Sequence, residues 1–286
     1  NARTQLKKIF SEEFSAVNLT YKDIELYSTP TRLTVFMFGL PNKIKVLPSE
    51  IKGPKLGVPQ NIVENFARSK NVNVNDLYEK KLDKGTFYFA KLKGTEINIE
   101  DELIKIIPKS LNRISWKKSM KWSNYDLNWG RPLKSIIALF NNKVINFDFF
   151  HLHSSNTTLI DGVKEEKVIK IRNFKDYVKI LKSQNIILDQ DERKKFIEKK
   201  MENICKVKNM QNNFDKKLID EVVNIVEKPN VIVCKFDEVY LDIPKEILIV
   251  TMQHHQKYFP LFDETNKLTN LFILVANLQD KKGYIK

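Results

Sequence analysis

Between Leu103 and Ile145 nine basic side chains, Lys105, Lys109, Arg113, Lys117, Lys118, Lys121, Arg131, Lys134 and Lys143, stand against a single acid, Asp126. The same stretch holds all three tryptophans of the chain, Trp116, Trp122 and Trp129, together with Tyr125. Cations interleaved with aromatic rings suit single-stranded or looped RNA, because phosphates pair with the cations while splayed bases stack on ring faces. Lys105, Lys109, Arg113, Lys117, Lys118, Lys121 and Arg131 are therefore candidate RNA-binding residues. The competing reading turns the lysines to water and makes the tryptophans core anchors. Tryptophan is usually mostly buried, and the core is the place expected for Trp122.

A second polar cluster runs from Thr251 to Pro260, with His254, His255, Gln256, Lys257 and Tyr258 in succession. Adjacent histidines point to different faces of a helix or strand, so they do not readily share one metal. General acid–base work by either would need a positioned nucleophile or carboxylate, and the sequence names none. The expectation is a buried polar junction between helix and strand, with Tyr258 and Phe259 packing inward; an interface with another chain is the alternative. His151-x-His153 reads as a strand end rather than a ligand pair. No catalytic residue and no metal ligand set is assigned. Neither G-x-x-x-x-G-K-[ST] nor G-x-G-x-x-G occurs, and only 8 glycines are present, which leaves little backbone freedom for a phosphate-cradling loop. Lys52-Gly53-Pro54 and Gly57-Val58-Pro59 read as a rigid turn region.

The 286 residues carry a net charge of +14, and a field of that sign attracts polyanions whatever the fold. The cations are overwhelmingly lysine and asparagine is abundant, a bias that an A/T-rich genome also produces, so solvated lysines are an equal reading of the global charge. No apolar run reaches the ~20 residues a membrane span needs, and Asn1-Ala2-Arg3-Thr4 does not open a signal peptide. Cys205 and Cys234 lie in unrelated contexts. These features predict a soluble, reduced, cytoplasmic protein without structural zinc. The absence of an initiator Met and the abrupt end at Lys286 suggest a piece of a longer polypeptide.

The elements that must position these groups follow from periodicity. Helices are expected at Leu6 to Phe14, about Gln60 to Lys70 (Ile62, Val63, Phe66 and Ala67 on one face), and from about Asp101 with Ile104, Ile107, Leu111 and Ile114 on one stripe, kinked at Pro108. Strands are expected at Leu33 to Leu40, Gly85 to Lys93, Ser135 to Phe140 and Lys143 to Phe149, the last two joined by a hairpin turn at Asn141-Asn142. From about Asn173 to Glu227 the period becomes helical, with stripes Phe196, Ile197, Met201, Ile204, Cys205 and Leu218, Val222, Ile225, Val226. Val231 to Phe236 and Leu271 to Val275 return to strand, with a helix from Pro244 to Gln253 between them. Strands and helices without strict alternation predict an α+β fold with a mixed or antiparallel sheet. The expected organisation is an α+β domain at 1–163, a helical subdomain at 164–228, and a strand-rich segment at 229–286 that returns to the first domain.

An ordered set of motifs then resembles one family, the β subunit of the bacterial-type, two-subunit glycyl-tRNA synthetase. The pieces are Tyr27-Ser28-Thr29-Pro30-Thr31-Arg32-Leu33, Lys52-Gly53-Pro54, Phe66-Ala67-Arg68-Ser69, Met120-Lys121-Trp122, Arg131-Pro132, Val226-Glu227-Lys228-Pro229, Ile243-Pro244-Lys245-Glu246, the Thr251-Met252 to Tyr258-Phe259-Pro260 block, Phe272 and Val275-Ala276-Asn277. Arg32, Trp122, His254, His255, Gln256 and Tyr258 are the motif residues taken as interface or structural positions. The sequence departs from the family at Leu159 to Val163, where a Gly-His-Arg-Phe run is usual, and at Ser123, where glycine usually follows the tryptophan. The resemblance implies an N-terminal fragment of a longer β chain that continues into a phosphohydrolase-like domain and an anticodon-binding region. It implies an α subunit that activates glycine with ATP and Mg²⁺, two α and two β chains, and tRNA(Gly) as partner, with no cofactor in this chain and no catalysis by the fragment alone. It also implies likeness to the editing-domain fold of the phenylalanyl-tRNA synthetase β subunit; a tRNA-editing hydrolase and a generic RNA-binding module are the alternative functions.

Overall fold

A computed structural model describes residues 2–46, 48–92, 94–161, 166–211 and 213–278. The expected roles of Lys93 in a turn and of Gly162 and Val163 in the divergent loop lie outside these residues. The fold is α+β, with seven α-helices and several small, mainly antiparallel sheets among the described residues. A short parallel pairing of Ile136–Ile137 with Ser154–Ser155 makes one of these sheets mixed. The chain divides into two compact units, both discontinuous in sequence: residues 1–8, 23–38 and 113–286 form the first, and 9–22 and 39–112 the second.

In the second unit a three-stranded antiparallel sheet orders Ser49–Lys55, Gly85–Leu92 and Leu77–Leu82, with Gly85–Leu92 in the centre and Phe89 and Ala90 buried. Helix α1 (Ala2–Ala16) places Phe10 and Phe14 in the core, and α2 (Gln60–Ser69) buries Val63 and Ala67 but leaves Ile62 exposed. Gly53 does not sit in a turn. It lies within strand Ser49–Lys55 at a register shift, directly under Phe66 of α2, where an added Cβ would fall 2.5 Å from the ring. The motifs around Gly53 and Phe66 are thus one packing contact. Helix α3 (Ile99–Asn112) runs through Pro108 and buries Ile99, Leu103, Ile106 and Ser110; Ile104, expected on the buried stripe, is exposed.

The first unit holds the helical run. Its helices are α4 (Phe174–Ser183), α5 (Gln190–Lys208) and α6 (Lys216–Ile225), each begun by a side-chain cap, Asn173, Asp189 and Asp215, that accepts from free N–H groups of the first turn. Asn209 at φ 52° ends α5 in the left-handed conformation that asparagine tolerates. The buried stripes are Ile197, Met201 and Cys205 on α5, and Leu218, Ile219, Val222 and Val223 on α6. Phe196 and Ile225 face outward, each one position off the stripe centre. These helices pack on an antiparallel sheet ordered Asn230–Lys235, Leu268–Ala276, Phe259–Phe262, whose Phe259, Leu261 and Ile273 complete the core. A smaller core gathers Ile160, Ile171, Tyr177, Leu181, Ile186 and Leu188. The Asn141-Asn142 turn is present, with φ 47° and 64°, but the strands it joins are short, Leu139–Phe140 and Lys143–Val144. Helix α7 (Lys245–Val250) continues into a π turn at Thr251–His255.

Candidate functional site

The basic, aromatic segment becomes a small hairpin in the first unit. Met120–Lys121 pairs with Asn128–Trp129, and the Trp122 carbonyl accepts from the Tyr125 N–H across the tip at 3.1 Å, with Ser123 at φ 50°. The base of the hairpin is fixed from below. Trp129 is buried, its ring 4.9 Å from Trp116 and 6.0 Å from Phe149. Trp116 lies on Gly130, where a Cβ would meet its ring at 2.5 Å, so only glycine lets the two strands and the indole close up.

Trp129 is therefore the core anchor. Trp122, which the burial tendency of tryptophan places in the core, is instead 43% exposed. Tyr125 is 45% exposed, and its ring stacks on His151 with centroids 3.7 Å apart and planes 7° from parallel. His151 follows Phe150, which is 53% exposed and held at φ 54° in the connection between strands Asp148–Phe149 and Leu152–Ser155. A bulky residue at positive φ carries strain that persists only where its surroundings impose it. His153 pairs with Asp148 at 2.6 Å at the strand end.

The seven cations expected to share one face divide between the units. Lys105 and Lys109 are on α3 in the second unit, and each holds a carboxylate: Glu102 at 2.8 Å and the buried Glu13 at 2.7 Å. Arg113, Lys117, Lys118, Lys121 and Arg131 belong to the first unit and are exposed. Lys121 pairs with Asp126 across the hairpin at 3.0 Å, while Lys117, Lys118 and Arg131 have no carboxylate partner among the described residues.

The Thr251–Pro260 block is not a buried polar junction. His254, His255 and Gln256 are exposed at the end of the π turn, and burial falls to Met252, Phe259 and Pro260. Tyr258 stacks on Phe272 at 4.8 Å. Just upstream, the large apolar side chains of Val239, Tyr240, Ile243, Ile247 and Val250 are all exposed, of which the sequence motifs include only Ile243.

The motif residue Arg32 belongs to a different construction, a buried polar node. Glu227 accepts hydrogen bonds from the hydroxyls of Thr29 and Thr31, both at 2.7 Å, and from Arg32 at 2.5 Å. Arg32 also donates to the Leu159 carbonyl at 2.6 Å. The Glu227 N–H donates to Asn277 Oδ1 at 2.7 Å. Beside it Arg193, fully buried, donates to four backbone carbonyls. These bonds tie strands and helices of this unit together, while the Nε of Arg32 is buried without a hydrogen-bond partner. No group of three or more His, Cys, Asp or Glu side chains among the described residues could hold a metal ion, and no helix there is long and apolar enough to cross a membrane.

A family model described as glycyl-tRNA synthetase beta subunit matches residues 1–285. Glycine–tRNA ligase beta subunits of Rickettsia akari (strain Hartford) and Rickettsia peacockii (strain Rustic) are each 32% identical to the chain over 277 residues, which is 97% of this chain and 42% of the relative. That of Rickettsia bellii (strain OSU 85-389) is 32% identical over 272 residues, 95% of this chain and 41% of the relative. The chain thus spans about two-fifths of the length of the curated relatives it matches.

Proposed function

The chain belongs to the glycyl-tRNA synthetase beta subunit family, and from that membership we propose that it is the N-terminal part of a β subunit that recognises tRNA(Gly) and supports assembly of the ligase. In this reading the α subunit performs ATP- and Mg²⁺-dependent activation of glycine and its transfer, two α and two β chains assemble in the cytoplasm, and this part contributes binding rather than chemistry. The observation that carries the tRNA role is the anchored hairpin at 116–131, which sets Trp122, Tyr125, Lys117, Lys118, Lys121 and Arg131 on an exposed surface. Lysines without carboxylate partners can neutralise phosphates without first breaking an ion pair.

The test is a triple charge reversal, Lys117→Glu, Lys118→Glu and Lys121→Glu, in the complete two-subunit enzyme. Affinity for tRNA should fall roughly ten-fold or more, and the slope of log affinity against log salt should become shallower by roughly two, at about 0.7 per cation lost. Folding should be unaffected, because the one exposed pair removed, Lys121 with Asp126, contributes less than about 1 kcal/mol. Unchanged affinity and slope would show the patch to be solvated surface only.

Assembly is assigned to the apolar surface of Val239, Tyr240, Ile243, Ile247 and Val250, because a solvated surface seldom gathers this many large apolar side chains without a partner. Ile247, 57% exposed, can accept a charge without disturbing the core. Ile247→Asp combined with Tyr240→Ala should weaken α-subunit association at least roughly ten-fold in analytical ultracentrifugation, with the melting temperature of the β chain unchanged. Wild-type association by the double variant would remove this surface from the α–β interface. The likeness to an editing-domain fold stays part of the proposal at the level of architecture only, since a shared fold does not carry hydrolysis with it.

A further inference from the structure

We propose that the tip of the 120–129 hairpin and the Phe150–His151 turn form a stacking site for unpaired nucleotides, so that this surface selects single-stranded or looped RNA over duplex. The proposal rests on the tRNA-binding reading above and adds which part of an RNA is held. Three observations meet here. Trp122 and Tyr125, three positions apart across the tip turn, are exposed although their neighbours Leu127 and Trp129 are buried. The Tyr125 ring already lies parallel on His151 at 3.7 Å, and both residues are exposed. Phe150, at φ 54°, sets its ring edge-on to the buried Phe149 at 5.1 Å and leaves about half of itself facing solvent beside His151.

Flat rings presented in this way contact every base through its π-face, which makes the site tolerant of sequence but not of base pairing, because paired bases in a duplex have no free face. The cations lie along the same segment: Lys117 and Lys118 precede the first strand, Lys121 ends it, and Arg131 follows the second. Phosphates flanking splayed bases would meet them. A duplex would engage the cations alone and leave the rings idle.

The experiment uses the complete two-subunit enzyme and two probes with equal numbers of phosphates, a short unstructured oligoribonucleotide and a perfectly paired RNA duplex. The unstructured probe, carrying 4-thiouridine, should photo-crosslink to Trp122, Tyr125 or Phe150 as mapped by mass spectrometry. Trp122→Ala and Tyr125→Ala should each lower its affinity roughly five- to a hundred-fold, leave duplex affinity unchanged, and abolish the adduct; Trp122→Phe should retain most of the binding. Adducts confined to other regions, or alanine variants that bind the unstructured probe like wild type, would overturn the stacking site. If the triple lysine reversal still lowers tRNA affinity in that case, the phosphate-binding reading survives without it. If the reversal too has no effect, both readings fall.

Discussion

Replacing Arg193 with methionine should destabilise the first unit by about 3–5 kcal/mol, and replacement with lysine should not restore it. The side chain stands in the first turns of α5 and is fully buried. Its Nε donates to the Val223 carbonyl at 2.9 Å, one terminal nitrogen to Ile187 at 2.6 Å and Leu188 at 3.2 Å, and the other to Ser28 at 2.9 Å. Val223 lies in the last turn of α6, whose carbonyls lack intrahelical partners and carry the negative end of the helix dipole. One planar fork therefore caps α6, fixes the segment before α5 and holds the end of strand Asp23–Ser28. Burial pulls its pKa down to about 10, with Glu227 opposing, so the guanidinium remains charged at neutral pH. Methionine can fill the volume but takes the guanidinium donors from four carbonyls, two in buried and two in part-buried bonds. Lysine brings charge on a single atom, which cannot reach carbonyls on three sides. Urea denaturation followed by circular dichroism measures this, and a loss below about 1 kcal/mol for either variant would show that solvent or a neighbouring side chain replaces the fork.

Much of this architecture was legible in the sequence where one physical signal dominated. The helices between Asn173 and Glu227 declare themselves by period, and the Asn141-Asn142 turn by two residues that accept positive φ. Periodicity fails at the margins of a stripe, where Phe196 and Ile225 are hydrophobic but turned outward. It also misses strand Phe259–Phe262, which follows a polar run and contains a proline. The site was half legible. Composition located the basic, aromatic segment, yet identical tryptophans play opposite parts in it, since Trp129 is next to Gly130 and packs on Trp116 whereas Trp122 caps an open turn. Tyr125 finding His151, and Lys109 finding Glu13, are tertiary facts that spacing does not encode. Arg193 was invisible within the charged run Asp191-Glu192-Arg193-Lys194-Lys195, because nothing local distinguishes a buried arginine from its solvated neighbours.

Glu227 was marked by the family motif alone, and its replacement by glutamine should cost about 3–5 kcal/mol at neutral pH, because it leaves Arg32 buried without a counter-charge. Arg32 and Glu227 are 195 positions apart, so the pair closes the first unit from its β-hairpin to the end of its helical run. Arg32 is also a ligand of the Leu159 carbonyl and cannot simply turn to water. Removing both charges, with Arg32→Met and Glu227→Leu together, should cost less than the sum of the single changes by at least about 1 kcal/mol. The double variant stays below wild type in stability, since the hydroxyls of Thr29 and Thr31 lose their acceptor. The pH dependence separates charge from shape. Burial pushes the Glu227 carboxyl up, but Arg32 and the Thr31 and Thr29 hydroxyls together outweigh it and hold the group below its ordinary 4.5. A carboxyl whose pKa is lower in the folded state stabilises above the unfolded value and loses that contribution as pH falls through the folded one. The stability gap between wild type and Glu227→Gln should therefore be constant from about pH 6 to 8 and narrow below about pH 4.5. A gap that persists undiminished into acid would assign the node's contribution to hydrogen-bond geometry and packing rather than to the ion pair.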